Sequence, residues 1–456
     1  MVMTSTDALV EFATTASRHA ATPAVVRTFV DTVGVALPGY ETDVLEALRR
    51  WAAASPVGGD ATVWGHDEGT SAARAALFNG TAAHALDFDD AAPSMPMHPS
   101  AVLWPALLAW GEVHGSNGTA LVQAFIVGQA AFRAIGEALP MEEHYPRGWH
   151  STATVGRIAA TAALISLSGI DRGRARHALG VAATMAGGSI ANFGTMTKPL
   201  HAGLAAQDAV VAMELALAGL TAHESQLDHP KGFFALFGSS TRARDDLAAR
   251  LDWWRAEWSE DLSVKQYPSC YGTHRAIDGV LDARDSMDLP VAEFTSIDVL
   301  VHPSGLDPLI GGTPTSGMEG KFSLPYTLVR ALMDGHLGLG SFDDGAVTDP
   351  VMVERMSRVS VRTAPAPVDR PDLDGEPYAE VRITGTDGAT VVRVVTVTMG
   401  DARKPLTDAQ IDAKFMSCAE AAGWSASEST ALLSRLRQLP APDSLSTLRD
   451  ALRRAA

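Results

Sequence analysis

Apolar residues recur every three or four positions through roughly the first 260 residues of the chain. This spacing places them on one face of an α-helix. Strand-like alternation is nearly absent there, and many alanines and glycines on the helical faces favour close helix packing. The clearest predicted helices are Ala72–Leu86, Ala101–Val113, Gly156–Leu167 and Leu204–Leu220.

The pattern changes near Lys265, where strand signals begin. Asp387-Gly388, between two alternating segments, predicts a β-hairpin. Thr407 and Asp408 then mark the start of a helical tail. Strands are predicted at Ser296–His302, Arg358–Arg362, Tyr378–Thr384 and Thr390–Thr398, and a helix at Gly320–Asp334. We therefore predict a mainly α-helical domain, residues 1–264 and 405–456, with an inserted smaller α+β domain, residues 265–404.

Composition and charge narrow the possible partners. The chain has 456 residues and a formal net charge of -17, which argues against nucleic acid and anionic membrane surfaces as partners. Its two cysteines do not suffice for a disulfide framework or a zinc ribbon. The first residues lack the basic region of a secretory signal, and the longest apolar stretch, Ala209–Leu220, is interrupted by Glu214 and short for a membrane span. We expect a cytoplasmic protein, and a small anionic substrate remains possible.

Histidines mark several predicted helix starts. They occur in His98-Pro99-Ser100, His150-Ser151-Thr152, Lys198-Pro199-Leu200-His201 and Thr273-His274. Helix N-termini carry unpaired N–H groups and a positive partial charge, so converging starts would form a carboxylate-binding pocket. Lys198, Lys265 and Arg147 would add positive charge. Each residue alone also fits a structural cap, a solvated charge or a packing role, the last above all for Tyr145, Tyr267 and Cys270.

Taken in order, these clusters resemble the MmgE/PrpD family. The similar segments span about residues 80 to 330. They are Asn79-Gly80 with His84-Ala-Leu-Asp-Phe-Asp-Asp90, His98-Pro-Ser100, Gly148-Trp-His150 with Thr152-Ala-Thr154, Gly194-Thr-Met-Thr-Lys-Pro199 with His201-Ala-Gly203, Lys265-Gln-Tyr-Pro268 with Thr273-His274, and Lys321-Phe-Ser-Leu-Pro-Tyr326.

The resemblance implies a cofactor-independent enzyme for a small di- or tricarboxylate, with no metal. The family's activities are 2-methylcitrate dehydration, cis-aconitate decarboxylation and iminodisuccinate epimerisation. Its implied fold is a helical domain plus an α+β lid, usually in a homodimer, with the active site between domain and lid. Residues that match positions lining the family's pocket are Asp87, His98, His150, Lys198, Lys265 and Cys270.

These reactions occur at a carbon next to a carboxylate, which requires a positioned base and stabilisation of an enolate-like intermediate. We assign the catalytic set as Lys198, His150, His98, Asp87, Lys265 and Tyr145, and the substrate-binding set as Arg147, His201, Cys270, His274 and Asp90. The histidines exchange protons, a lysine serves as base or as carboxylate clamp, and Tyr145 is a second proton donor. Asp87 orients a histidine or keeps a lysine charged, and Arg147 is a carboxylate fork.

Ala91 and Cys270 stand where cis-aconitate decarboxylases carry Thr and His. We therefore rank a hydro-lyase similar to 2-methylcitrate dehydratase first, a dicarboxylate epimerase second and a decarboxylase third. Two readings of other classes remain. His66-Asp67 with Asp87–Asp90 faintly resembles the metal ligands of helical phosphohydrolases, and the Ala-rich helices alone fit a non-catalytic scaffold.

Overall fold

A computed structural model describes residues 3–15, 23–67, 69–92, 95–139, 141–238, 246–286, 294–306, 308–441 and 444–453. The chain forms two compact units. The helical unit comprises Met1–Asn192, Met196–Val264 and Thr407–Ala456, and the sheet unit comprises Phe193–Thr195 and Lys265–Leu406.

Where the structure describes it, the helical unit consists of packed helices and one very short strand pair, β1 (Ala61–Thr62) with β2 (Gly69–Thr70). Its described helices are α1 (Ser5–Thr14), α2 (Pro23–Gly39), α3 (Asp43–Ala53), α4 (Ala72–His84), α5 (Ser100–His114), α6 (Gly118–Ala138), α7 (Met141–His144), α8 (Ser151–Ser168), α9 (Arg172–Met185), α10 (Thr197–Leu217), α11 (Phe233–Phe237), α12 (Leu247–Ala256) and, further along the chain, α18 (Asp408–Ala421), α19 (Ala426–Leu436) and α20 (Ser444–Leu452).

Small residues let α4 and α10 approach closely. A Cβ added at Gly203 on α10 would stand 2.3 Å from the Leu77 carbonyl oxygen and 2.1 Å from Thr81 Oγ1 on α4. Only glycine fits such an approach. The contact sets the two helices side by side, so the end of α4 lies next to the first turn of α10.

Two helices, Gly118–Ala138 and Thr197–Leu217, are long and apolar enough to cross a membrane by length and composition alone. The prediction that Ala209–Leu220 is the longest apolar stretch is therefore wrong, because α10 begins at Thr197 and α6 is equally long. Their most apolar segments are 83% and 56% buried within the fold, as core helices can be, so length and composition are weak evidence for a membrane span.

The sheet unit is built on a four-stranded sheet in the order β4-β3-β5-β6. The strands are β3 (Phe294–Val301), β4 (Val359–Thr363), β5 (Ala379–Gly385) and β6 (Thr390–Val395), with β3 parallel to β4 and antiparallel to β5. The described helices of this unit are α13 (Tyr271–Asp285), α14 (Gly317–Gly320), α15 (Leu324–Asp334), α16 (Asp344–Val347) and α17 (Pro350–Met356). Buried residues of α13, α15 and the sheet form a single core.

The predicted hairpin around Asp387-Gly388 is present, because β5 pairs with β6 through Thr384 and Thr390. Most predicted elements have somewhat different bounds in the structure, and two differences in the sheet unit have a clear local cause. The helix predicted from Gly320 begins at Leu324, because Ser323 accepts a hydrogen bond from the Tyr326 N–H and caps it. The strand predicted to Thr398 ends at Val395, and the Thr398 hydroxyl instead donates to Asp278.

Candidate active site

The candidate site of the helical unit begins where α4 ends. Asp87 has a φ of 52°, and it is the only described residue other than glycine with a positive φ. This left-handed backbone is sparsely populated, although Asp tolerates it better than most residues. The resulting turn brings Asp89 back to the end of α4, where its Oδ2 lies 2.9 Å from His84 Nδ1.

The same loop orients His98. Its Nδ1 lies 2.9 Å from the Asp90 carbonyl oxygen and 3.3 Å from Asp89 Oδ2. A carbonyl oxygen only accepts, so Nδ1 carries the proton, and Nε2 of neutral His98 holds the lone pair. His98 also receives support through its backbone N–H, which donates to Thr152 Oγ1 at 3.1 Å. Its side chain retains 13% of its exposure.

Asp90 serves the start of α5. Its two carboxylate oxygens accept from the backbone N–H and the hydroxyl of Ser100. Burial raises the pKa of Asp90 to about 7, and repulsion from Asp89 and Asp31 adds to this while Ser100 opposes it. Direct substrate binding by Asp90 would require these bonds to Ser100 to break.

Lys198 meets Asp87 in a buried ion pair. Lys198 lies in the first turn of α10, and Asp87 lies just past the end of α4. The close packing of these helices thus brings together two groups that are 111 residues apart. In direct contact, the ammonium ion and the carboxylate compensate one another's charge inside the protein.

His150 and His201 form a second pair, with their Nδ1 atoms 3.0 Å apart. His150 immediately precedes α8, and His201 follows Lys198 on α10. One Nδ1 must donate and the other accept, so the pair is bonded when both rings are neutral. Burial, then neighbouring cationic groups, holds the pKa of His150 well below its usual value and lowers that of His201 to about 4.

His84 connects the two groups. Its ring centroid lies 4.3 Å from that of His98 and 6.3 Å from that of His150. Burial lowers the pKa of His84 to about 3. Burial alone would raise the pKa of Asp89, but His84 and His98 outweigh it and hold that pKa well below its usual value. Neutral His84 therefore donates from Nδ1 to ionised Asp89.

The sheet unit carries three predicted site residues. Lys265 is fully buried. Cys270 is the N-cap residue of α13, and its backbone N–H donates to the Lys321 carbonyl at 2.9 Å. His274 lies in the first turn of α13, where its Nε2 is 3.2 Å from the Ser269 carbonyl oxygen. Their assigned roles stay predictions.

Tyr145 and Arg147 lie on the turn before His150. The Tyr145 hydroxyl is 3.5 Å from the Pro96 carbonyl oxygen, in the segment that leads to His98. Arg147 is exposed, and its guanidinium lies against Gly238. The buried cluster is thus formed by Asp87, Asp90, His98, His150, Lys198 and His201 among the predicted residues, whereas Arg147 is at the surface.

The site assignment from sequence omitted His84 and Asp89, which lie at its centre. Both stand in the segment that carries the family resemblance, but their separation of five residues does not place them on one helix face. Only the turn at Asp87 brings them together. Thr152 and Ser100, which hold His98 and Asp90, were also absent from the assignment.

One group among the described residues has the composition of a metal site. Ligand atoms of His84, Asp87, Asp89 and His98 all lie within 4.8 Å of one another. The fit to a cation is poor, because the Lys198 ammonium already contacts Asp87 and would repel it. His66 and Asp67, the pair from which a metal-dependent hydrolase was considered, are not part of this group.

The helical unit therefore presents a buried lysine–carboxylate pair beside histidines with fixed proton positions, an arrangement suited to acid/base chemistry on an anion. Comparison with models of known protein families shows which family the chain belongs to. The MmgE/PrpD N-terminal domain matches residues 6–245, and the MmgE/PrpD C-terminal domain matches residues 267–436. The chain belongs to the MmgE/PrpD family.

Similar curated proteins are cis-aconitate decarboxylases. The protein from Mus musculus is 28% identical over 399 residues, covering 85% of this chain and 80% of the mouse protein. The Homo sapiens protein is 28% identical over 400 residues, covering 85% and 81%. The protein from Aspergillus terreus (strain NIH 2624 / FGSC A1156) is 26% identical over 384 residues, covering 79% and 77%.

Proposed function

We propose that this protein is a lyase acting on a small tricarboxylate, and that decarboxylation of cis-aconitate is its reaction. The observation that carries the proposal is the Lys198–Asp87 pair beside His98, whose Nδ1–H is held by the Asp90 carbonyl. The similarity to cis-aconitate decarboxylases supports this reaction over the dehydration that the sequence alone ranked first.

The reaction makes a defined demand on the site. The bond from the CH₂ carbon to its carboxylate breaks, and that carboxylate leaves as CO₂. The electron pair of the bond forms a new carbon–carbon double bond, and the electrons of the old double bond take one proton at its CH carbon. The enzyme must therefore stabilise the developing negative charge and deliver one proton.

The helical unit offers a group for each task. The Lys198 ammonium can share its hydrogen bonds between Asp87 and a substrate carboxylate, which neutralises charge without a proton transfer. His98 can take up a proton from solvent at Nε2 and deliver it to the CH carbon, because Nδ1–H is held by the Asp90 carbonyl and the ionised Asp89 compensates the charge of the imidazolium form. His150 and His201 would bind further carboxylates of the substrate.

A hydro-lyase reaction on a hydroxylated tricarboxylate is the second candidate. The observation in its favour is the identity of Cys270 and Ala91, where cis-aconitate decarboxylases carry His and Thr. An elimination needs one base at the carbon and one acid at the leaving hydroxyl. The two imidazoles His98 and His150 would supply these roles.

Proton NMR in heavy water tests the proposal. Purified protein, treated with a chelator, is incubated with cis-aconitate, 2-methylcitrate and iminodisuccinate in turn. We expect cis-aconitate to lose CO₂ and give a five-carbon dicarboxylate with one deuterium incorporated. Loss or addition of water instead would establish the hydro-lyase, and deuterium exchange with inversion would establish an epimerase. No reaction with any of the three compounds would refute the proposed function.

His98→Gln tests the proton-delivery role. Glutamine preserves hydrogen-bonding capacity but does not exchange a proton, so we expect kcat to fall by at least about 100-fold. His177→Gln is the matched control. His177 lies outside the cluster, and its Nδ1 is 3.0 Å from the Ala222 carbonyl oxygen. Equal kcat in the two variants would remove His98 from the mechanism.

A further inference from the structure

Lys414 lies behind the candidate site and was not singled out by the sequence. It is on α18, and 8% of its side chain is exposed. Its Nζ forms an ion pair with Asp31 on α2 at 2.6 Å and donates to the Phe88 carbonyl oxygen at 2.7 Å. The same ammonium lies 3.9 Å from the centroid of the Phe88 ring. The charge is thus bound on three sides.

Phe88 is the residue between Asp87 and Asp89. The carbonyl that Lys414 binds belongs to the peptide group joining Phe88 to Asp89. Fixing that peptide plane limits rotation about ψ of Phe88 and φ of Asp89, and Phe88 directly follows the left-handed residue Asp87. The contact therefore restrains the backbone that carries the Asp89 carboxylate, which contacts His84 and His98, and it does so one residue after Asp87.

We propose that Lys414 is a positioning residue, which holds the Asp87–Asp89 turn in its working geometry through the Phe88 carbonyl. The inference rests on the proposed function in that these carboxylates serve the acid/base chemistry. It also gives the C-terminal segment a part in the site, since Lys414 is 326 residues from Phe88 in sequence.

A purely structural role makes a different prediction. A buried ion pair such as Lys414–Asp31 adds little net stability, because the cost of desolvating two charges offsets their attraction. If Lys414 only filled space and paired with Asp31, replacing both residues by uncharged ones would leave the activity of each folded molecule unchanged. If Lys414 positions the turn, activity would fall even where folding is intact.

The experiment compares Lys414→Met alone and combined with Asp31→Asn against the wild-type enzyme. Folded fractions are measured by urea denaturation, and kcat and KM are expressed per folded molecule. We expect kcat to fall by about 10- to 100-fold in both variants, as for a misplacement of about 1 Å in a reacting group. We expect KM to change by less than about threefold, and Lys414→Arg to recover part of kcat, since a cation is restored.

Arg27→Met is the matched control. Arg27 joins the same two helices, through an ion pair with Asp408 at 2.6 Å, but it lies on their more exposed side. We expect Arg27→Met to leave kcat unchanged. Unchanged kcat per folded molecule in the Lys414→Met, Asp31→Asn double variant would overturn the proposal, as would an equal loss in Arg27→Met.

A second readout does not depend on activity. Histidine-selective ¹⁵N NMR reports the tautomers of His84 and His98, which the turn sets through Asp89 and Asp90. We expect Lys414→Met to shift the ¹⁵N signals of His84 and His98 and to leave those of His177 unchanged. If the wild-type enzyme acts on no polycarboxylate, the proposed function fails, and this spectrum alone then decides the positioning role: unshifted His84 and His98 signals refute it.

Discussion

Lys198 and Asp87 each keep only 6% of their side-chain exposure, so their charges depend on one another. Removing one partner leaves an uncompensated charge inside the protein, which typically costs about 3–5 kcal/mol of stability. The stability of the fold and the proposed chemistry therefore depend on the same two side chains.

We expect Lys198→Met to lower the free energy of unfolding by about 3–5 kcal/mol and to abolish turnover. Adding Asp87→Asn should recover most of the stability, because the unpaired carboxylate is gone, but none of the turnover. Guanidinium denaturation and steady-state kinetics measure the two effects. The control is Arg50→Met, in an exposed ion pair with side chains 70% and 54% accessible, which should change stability by less than about 1 kcal/mol. Turnover in the double variant would contradict the role of this pair.

The candidate site is formed by turns that follow or precede helices, and the packing of those helices decides where the turns meet. Helices α4 and α10 meet at glycines, whereas α2 and α18 meet where Gly34 faces Phe415: a Cβ at Gly34 would stand 2.9 Å from Phe415 Cδ2. Phe415 is 1% exposed and lies one residue after Lys414. The packing of α18 on α2 therefore supports the same face of the site.

Phe415→Ala tests this packing. Truncating a buried phenylalanine removes apolar contacts and leaves a cavity, so we expect a loss of about 3–5 kcal/mol in the free energy of unfolding. Ser417→Ala on the exposed side of the same helix should stay within about 0.5 kcal/mol of the wild type. Urea denaturation with an unchanged m-value measures both. A loss below about 1 kcal/mol for Phe415→Ala would show that α18 contributes little to the helical unit.

The whole molecule has a net charge of -17, which should repel the polyanion that it is proposed to bind. The buried histidines can compensate this repulsion by taking up protons when the ligand binds. Burial lowers the pKa of His150 and His201, so both are neutral at pH 7 in the free protein. A bound carboxylate favours the charged imidazole and raises these pKa values. Protons taken up with the substrate would then supply the missing positive charge.

We therefore expect binding of tricarballylate, a saturated tricarboxylate, to be accompanied by proton uptake. A ligand that raises a pKa binds more tightly as pH falls from the pKa of the complex towards that of the free protein, which is about 4 for His201. Affinity should therefore increase as the pH is lowered from 7 towards 6, by up to about tenfold per pH unit for each proton. Calorimetry in two buffers of different ionisation enthalpy measures the uptake. His201→Asn should reduce it, and His177→Asn should not. Binding heats that are independent of the buffer would contradict the prediction.

Sequence patterns alone predicted the element types and the resemblance to the family. Helical periodicity, the hairpin at Asp387-Gly388 and the cap at Thr407 are local signals, and local backbone preferences decide them. The motif residues Asp87, His98, His150 and Lys198 could be selected because their order along the chain is similar to that of a known family. The order of residues along a chain shows which family the chain resembles, but it does not give the distances between those residues.

Which of these residues come into contact depends on the tertiary fold. The pairing of Lys198 with Asp87 depends on glycine contacts between α4 and α10, and that of His84 with Asp89 depends on one left-handed residue. Lys414 reaches Phe88 because α18 packs on α2, which no local pattern encodes. The physical reason is that such contacts join residues far apart in sequence, whereas periodicity and capping report only on neighbours within a few positions.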